Sequence, residues 1–192
     1  MKTLTLDIET TGLPPKAARY ETDFMNFPYI ITIAWKINDG ETKYLIVNQE
    51  GIAIPPEATA INGITNEMCD ASEITLSRAL ADLLFDAQDV DVVIGHNLYF
   101  DTSIIKACLL RLLAAGKIVQ AFYDQFVIML GKEKRVDTMY KTISFCARGG
   151  KFPKLTELHQ KLFNESFDAH NSKDDVNATY RCYVRLKELG VI

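Results

Sequence analysis

The sequence predicts an α/β domain built on one mixed central sheet. Three observations carry that prediction. Three β-rich runs crowd the first part of the chain, a turn signal joins two of them, and everything after them alternates helical and strand-like patterns.

Residues 4–8 alternate and are rich in strand formers, and Gly12-Leu13-Pro14-Pro15 ends them in a turn. Residues 16–28 read as irregular. A second strand is expected over Ile30–Ile37 and a third over 42–47, and Asn38-Asp39-Gly40 between them is a hairpin signal, so the first three strands should be antiparallel neighbours. Residues 74–85 set Leu76, Leu80, Leu83 and Leu84 at helical spacing. Residues 90–94 read as a short buried strand. A helix is expected over 101–115, with Ile104, Ile105, Cys108, Leu109 and Leu112 along one side and Gly116 as its stop. Residues 118–130 are apolar without a period and stay unassigned. Val136-Asp137-Thr138 reads as a strand end, and helices are expected over 139–147, 154–163 and 172–189.

The chain has 192 residues, with 48% hydrophobic and 24% charged, and carries no repeat, low-complexity tract or linker. These values exclude disorder and collagen-like structure, and the length suits a single domain over 1–192. The net charge of −4 and pI near 5.4 exclude a duplex binder coated in Lys and Arg, while an enzyme that reaches nucleic acid through a small site stays open. The four cysteines stand far apart, which supports neither a zinc ribbon nor a disulfide framework. Cys108 and Cys182 fall in apolar helical patterns and read as buried free thiols. With no signal-peptide pattern at the start and no apolar stretch of ~18 residues, a cytoplasmic protein with no membrane partner is expected.

Four acids are candidates for chemistry. Asp7 and Glu9 lie at the end of the first strand and project to one side, with Leu6 and Ile8 pointing the other way. Two carboxylates on one face repel and become tolerable with a divalent cation between them, although for an Asp-x-Glu pair taken alone a solvated strand end is the favoured reading. Asp101 follows the buried strand at the start of a helix, where it is either a site residue or a helix cap. In His170-Asn171-Ser172-Lys173-Asp174-Asp175, helix geometry separates the last two acids. Asp175 shares a face with Ala178, Thr179, Cys182 and Leu186, whereas Asp174 looks outward beside Arg181 and Arg185. A carboxylate on the buried face needs a partner, and a metal is a good one. His170 stands within loop reach of the same place.

Asp7-Ile8-Glu9-Thr10-Thr11-Gly12-Leu13, then His96-Asn97 with Asp101, then His170 with Asp175 resemble, in order and separation, the three motifs of the DEDDh 3′–5′ exonucleases. That family includes the proofreading subunit of bacterial replicative DNA polymerase, ribonuclease T and oligoribonuclease. The sister group has Tyr four residues before the last Asp. Here that place holds Asn171. The resemblance implies a ribonuclease H-like fold, a five-stranded mixed sheet flanked by helices. It implies two divalent ions, Mg²⁺ or Mn²⁺, held by Asp7, Glu9, Asp101 and Asp175, with His170 as general base. The implied reaction is two-metal hydrolysis of the terminal phosphodiester, releasing nucleoside 5′-monophosphates from a single-stranded 3′ end.

The resemblance also places substrate contacts at Glu9, Thr10, Thr11 and Gly12, with Leu13 either a wedge against the last base or a plain apolar turn residue. Glu57 and Asn62 would meet the terminal sugar, although Asn62 stands where the family has His, and Asn97 would orient the terminal nucleotide. His96 is expected to be structural and His159 solvated. Residues 132–154 carry a net charge of +5 from Lys132, Lys134, Arg135, Lys141, Arg148, Lys151 and Lys154 against Glu133 and Asp137, which reads either as a grip on phosphates or as ordinary solvated charge. Phe152 within it reads either as a stacking residue or as core. The likeness to proofreading subunits favours DNA as substrate and adds a DNA polymerase as candidate partner. The chain ends soon after its last helix, so such a contact would use the domain surface. An RNA exonuclease and a non-catalytic polymerase-binding module are the alternatives.

Overall fold

The structure, a computed structural model, describes residues 1–146 and 149–192. Five strands, β1 (Thr3–Thr10), β2 (Ile30–Ile37), β3 (Lys43–Ile46), β4 (Val92–Gly95) and β5 (Arg135–Asp137), form one sheet in the order β3-β2-β1-β4-β5. The helices among the described residues are α1 (Tyr20–Asp23), α2 (Pro56–Asn62), α3 (Asn66–Asp70), α4 (Leu76–Asp86), α5 (Leu98–Ala114), α6 (Gln120–Met129), α7 (Thr138–Lys141), α8 (Ile143–Cys146), α9 (Leu155–Phe163) and α10 (Ser172–Glu188). None of them is long and apolar enough to cross a membrane.

β1 pairs antiparallel with β2, which pairs antiparallel with β3, as the hairpin signal predicts. Asn38 takes a positive φ of 50° in the turn, and its Oδ1 accepts the N–H of Thr3 at 2.8 Å, tying the hairpin back to the start of β1. β4 runs parallel to β1, and β5 parallel to β4. The C-terminal ends of β1, β4 and β5 therefore share one edge of the sheet, where open α/β sheets build their sites.

Strand alternation gives β1 two different faces. Leu4, Leu6 and Ile8 are buried in the main core with Ile33 and Trp35 of β2, Leu80 and Leu83 of α4, and Ile104, Cys108 and Leu109 of α5. Thr3, Thr5, Asp7 and Glu9 point the other way, toward α10, which packs over β1 and β2. Trp35 is buried, and its Nε1 donates to Asp86 Oδ2 at 2.8 Å. The β1–β2 register shifts between Glu9 and Thr10, where Thr32 opposes Glu9 and Ile30 opposes Thr10. Ile31 is the extra residue of this bulge, and it turns away from the main core to pack with Ile54, Ala58, Ile64 and Cys69. The bulge thus docks α2 and α3 beside the end of β1.

Several elements differ from expectation. The helix expected over 101–115 begins a turn earlier, with Asn97 in left-handed conformation as its N-cap, so Asp101 is not a cap. Residues 118–130 hold α6, whose Phe126 and Met129 are buried against the core. Residues 16–28, expected to be irregular, contain α1 and a short 3₁₀ turn over Phe24–Asn26. The helix expected over 139–147 is two short ones separated at Thr142, and Ala147 and Arg148 lie outside the described residues. α2 and α3 were not expected: each is about two turns or less and too short for a helical period to show.

Candidate active site

Asp7 and Glu9 leave β1 on the α10 face, and Asp175 enters from the first turn of α10. One carboxylate oxygen from each lies within 4.8 Å of the other two. Asp101 enters from the first turn of α5 and is buried. It is not in that tight group, yet its charge bears directly on Asp7.

Burial dominates the electrostatics. It pushes Asp7 well above the usual carboxylate range, and Asp101, Asp175 and Glu9 push further in the same direction. Burial, then the charge of Asp175, raises Glu9 to about 8. Burial raises Asp101 too, aided by Asp137 and Glu9. Asp175 is pushed up to about 6 by burial, although the backbone hydrogen bond and the charge of His170 oppose it. Four carboxylates held this way are mutually repulsive when ionised.

The site's hydrogen bonding leaves one gap. Asp175 Oδ2 accepts the N–H of His170 at 3.1 Å, while Asp175 Oδ1 is buried with no hydrogen-bond partner. A buried unpaired carboxylate oxygen beside two other carboxylates is costly without a cation. An all-oxygen donor set of this kind fits hard ions such as Mg²⁺ or Mn²⁺.

His170 adopts a positive φ of 72°, and its exposed side chain borders a cavity of about 310 Å³ with Asp7, His96, Lys154 and Asp175. His96 is tied on both nitrogens, Nδ1 to Thr138 Oγ1 at 2.9 Å and Nε2 to the Pro153 carbonyl at 2.9 Å. Burial lowers its pKa, and Nε2 is the donor to the Pro153 carbonyl, which can only accept. His159, expected to be solvated, is instead buried: its Nδ1 meets the Glu165 carbonyl at 3.1 Å and its ring packs against Phe163 and Phe167. The polar spacing on α9 misled because α9 packs on α10, so this face is interior. A larger cavity, about 420 Å³, lies between α5 and the start of β2 and contains none of the acids.

Three further positions matter, and the sequence did not point to them. Thr32, the cross-strand partner of Glu9, shares a buried hydrogen bond of 2.9 Å with Ser172 at the start of α10. This bond fixes the helix that delivers Asp175 to the strand pair that delivers Glu9. Asp137, at the end of β5, accepts from the N–H groups of Asn97, Met139 and Tyr140 and so holds both the α5 entrance and the α7 start. Tyr44 of β3 is half-buried, and burial followed by the charge of Glu9 raises its phenol. No spacing rule links these residues, because each acts across strands.

The expected substrate residues fall into two groups. Thr10 Oγ1 donates to the Gly12 carbonyl at 2.7 Å, and Thr11 Oγ1 accepts from Tyr29 N–H at 2.9 Å, which fixes the turn after Glu9. Leu13 at its tip is 82% exposed. Glu57 is exposed on α2. Asn62 Oδ1 accepts the N–H of Ile64 at 2.9 Å, so its carbonyl is committed to the turn that ends α2. Asn97 is half-buried at the α5 cap.

The model of the exonuclease family (RNase T type) matches residues 4–183. The chain belongs to the exonuclease family. It is of the DEDDh kind, with the ribonuclease H-like fold. Among solved structures, the nuclease domain of 3′hExo, a DEDDh family member bound to rAMP, superposes with a TM-score of 0.70 at 14% identity, covering 99% of this chain and 93% of that one. The zinc-bound complex of E. coli exonuclease I with single-stranded DNA gives 0.71 at 20% identity, covering 98% and 40%. Exonuclease I from Methylocaldum szegediense gives 0.66 at 21% identity, covering 97% and 40%. The chain thus spans about two fifths of the exonuclease I chains it matches. A sequence search of curated proteins found no match.

Proposed function

We propose that this exonuclease domain, residues 1–192, hydrolyses the terminal phosphodiester at the 3′ end of single-stranded DNA and releases nucleoside 5′-monophosphates. The observation that carries the reading is the convergence of Asp7, Glu9 and Asp175 within 4.8 Å, with a buried, unpaired Asp175 Oδ1. Asp7, Glu9, Asp101 and Asp175 would hold two divalent ions. Bound there, such ions supply Lewis-acid stabilisation of charge on the phosphate.

The chain's own residues do the rest. His170 has its backbone anchored on Asp175 and its side chain at the cavity, with no hydrogen-bond partner among the described residues. It takes the proton from the attacking water as the water oxygen bonds to phosphorus, and the bond from phosphorus to the 3′ oxygen breaks, that oxygen taking a proton from solvent to leave as the hydroxyl of the shortened strand. The turn from Thr10 to Gly12, fixed by its own hydrogen bonds, receives the terminal nucleotide, and exposed Leu13 lies against the last base. Glu57 and the amide of Asn62 would meet the sugar, and Asn97 would orient the nucleotide.

DNA is proposed on the likeness of Thr10-Thr11-Gly12-Leu13 to proofreading subunits, with a DNA polymerase as partner. The 3′hExo structure bound to rAMP, matched over 93% of its length, is the observation that favours RNA instead. The test is hydrolysis of two 5′-labelled strands of equal sequence, one DNA and one RNA, with Mg²⁺ or Mn²⁺ and with EDTA and Asp175→Asn controls. A metal-dependent ladder from the 3′ end on DNA alone supports the proposal. A ladder on RNA alone moves the enzyme to RNA. No ladder on either, with metal bound, leaves a binding module.

A further inference from the structure

The basic segment 132–154 is not one surface. Lys134 Nζ donates to the Val90 carbonyl at 3.0 Å, and Arg135 donates to the Leu130 carbonyl, so these cations are tied to the far end of β4 and β5. Arg148 lies outside the described residues. Lys141, Lys151 and Lys154 are exposed, and none of their ammonium groups forms an ion pair with a carboxylate among the described residues, although the Lys154 backbone N–H donates to Glu157 Oε2 at 2.8 Å. Lys154 borders the cavity that holds Asp7, His170 and Asp175.

Two aromatic rings are next to these lysines in the sequence. Tyr140 is 51% exposed and Phe152 is 50% exposed, with ring centroids 4.8 Å apart in an edge-on arrangement. Neither ring belongs to any of the apolar clusters, so Phe152 is not core. The His96 imidazole bonds Thr138 on one side and Pro153 on the other, which fastens both ring-bearing segments to the rim of the acidic site. The rings brace each other at an interplanar angle of 63° and stay half exposed, and Lys141 and Lys151 are their immediate neighbours along the chain.

We propose that Tyr140 and Phe152 form a stacking platform for the bases upstream of the terminal nucleotide, with Lys141, Lys151 and Lys154 taking the adjoining phosphates. Every base has a π-face, so such a platform grips single strands of any sequence and rejects a duplex whose bases are already stacked. The proposal rests on the exonuclease reading for the direction of the strand.

Its test compares two labelled strands of about 12 nucleotides. One is normal, and the other is abasic at every position upstream of the last two nucleotides. Binding is read by fluorescence anisotropy in EDTA, which suppresses hydrolysis, for the wild type, Tyr140→Ala/Phe152→Ala and the bulk-retaining Tyr140→Leu/Phe152→Leu. The expected result is a preference of the wild type for the normal strand by about tenfold or more, which both variants lose while melting as the wild type does. Wild-type indifference to the missing bases overturns the platform, and so does an equal loss on both strands. The exonuclease reading fails separately: base-dependent binding with no hydrolysis when Mg²⁺ is restored removes the reaction and leaves the platform standing.

Discussion

Burial, and then the charges of Asp101, Asp175 and Glu9, disfavour an ionised Asp7. Asp7→Asn is therefore expected to act in two opposite senses. Activity should fall by at least about 10²-fold through loss of a metal ligand. The melting temperature of the metal-free protein should rise by a few degrees, corresponding to about 1 kcal/mol of relieved repulsion. Calorimetry in EDTA checks this, and an unchanged or lower melting point would count against tight clustering. The same physics sets a pH dependence. Glu9 at about 8 and Asp175 at about 6 both lie above their unfolded values, so the native state binds more protons than the unfolded one. Their contribution to stability is complete below about pH 4 and is lost as pH rises through 6 and then 8. The metal-free protein should melt progressively lower from pH 5 to 9, and added Mg²⁺ should restore most stability at the alkaline end, where the ligands are ionised. His170→Ala should lower kcat by about 10²–10⁴-fold, with metal affinity from titration calorimetry little changed.

At the scale of elements, a buried hydroxyl pair ties the start of α10 to β2, in addition to its packing on β1, β2 and α9. Thr32→Val or Ser172→Ala alone leaves the other hydroxyl unsatisfied and should cost about 1–3 kcal/mol in urea unfolding, whereas the double variant should cost less than the sum. Strict additivity would mean that the two hydroxyls do not depend on each other. The elements also show where sequence patterns inform and where they stop. β2 fell on the expected residues, and so did the buried face of α10 from Asp175 to Leu186, because strand alternation and helical period are local signals. The acid motifs were legible for the same reason. The bulge at Ile31, the Thr32–Ser172 pair and the reach of Asp137 to Asn97 arise only when distant segments meet. α6 was hidden because its residues are apolar on several sides, and His159 was misjudged because the covering element lies elsewhere in the chain.

The whole molecule carries a net charge of −4, and the substrate proposed for it is a polyanion. Local cations then matter more than the total: Lys154 borders the acidic cavity, and Lys141 and Lys151 are exposed on the segments that flank it in sequence. Replacing the three with Gln should make the salt dependence of single-strand binding shallower by about 2 in the logarithmic slope, since each phosphate contact on a single strand contributes about 0.7. Anisotropy titrations at several NaCl concentrations measure that slope, and an unchanged value would place the strand elsewhere. The main core adds something of a different kind. The chain has one tryptophan, Trp35, sealed in the core across the sheet face from the acids and hydrogen-bonded to Asp86. Its indole is a single built-in optical label: emission from this buried ring should shift to longer wavelength only when the core opens, and should stay quiet while nucleotides come and go at the opposite face.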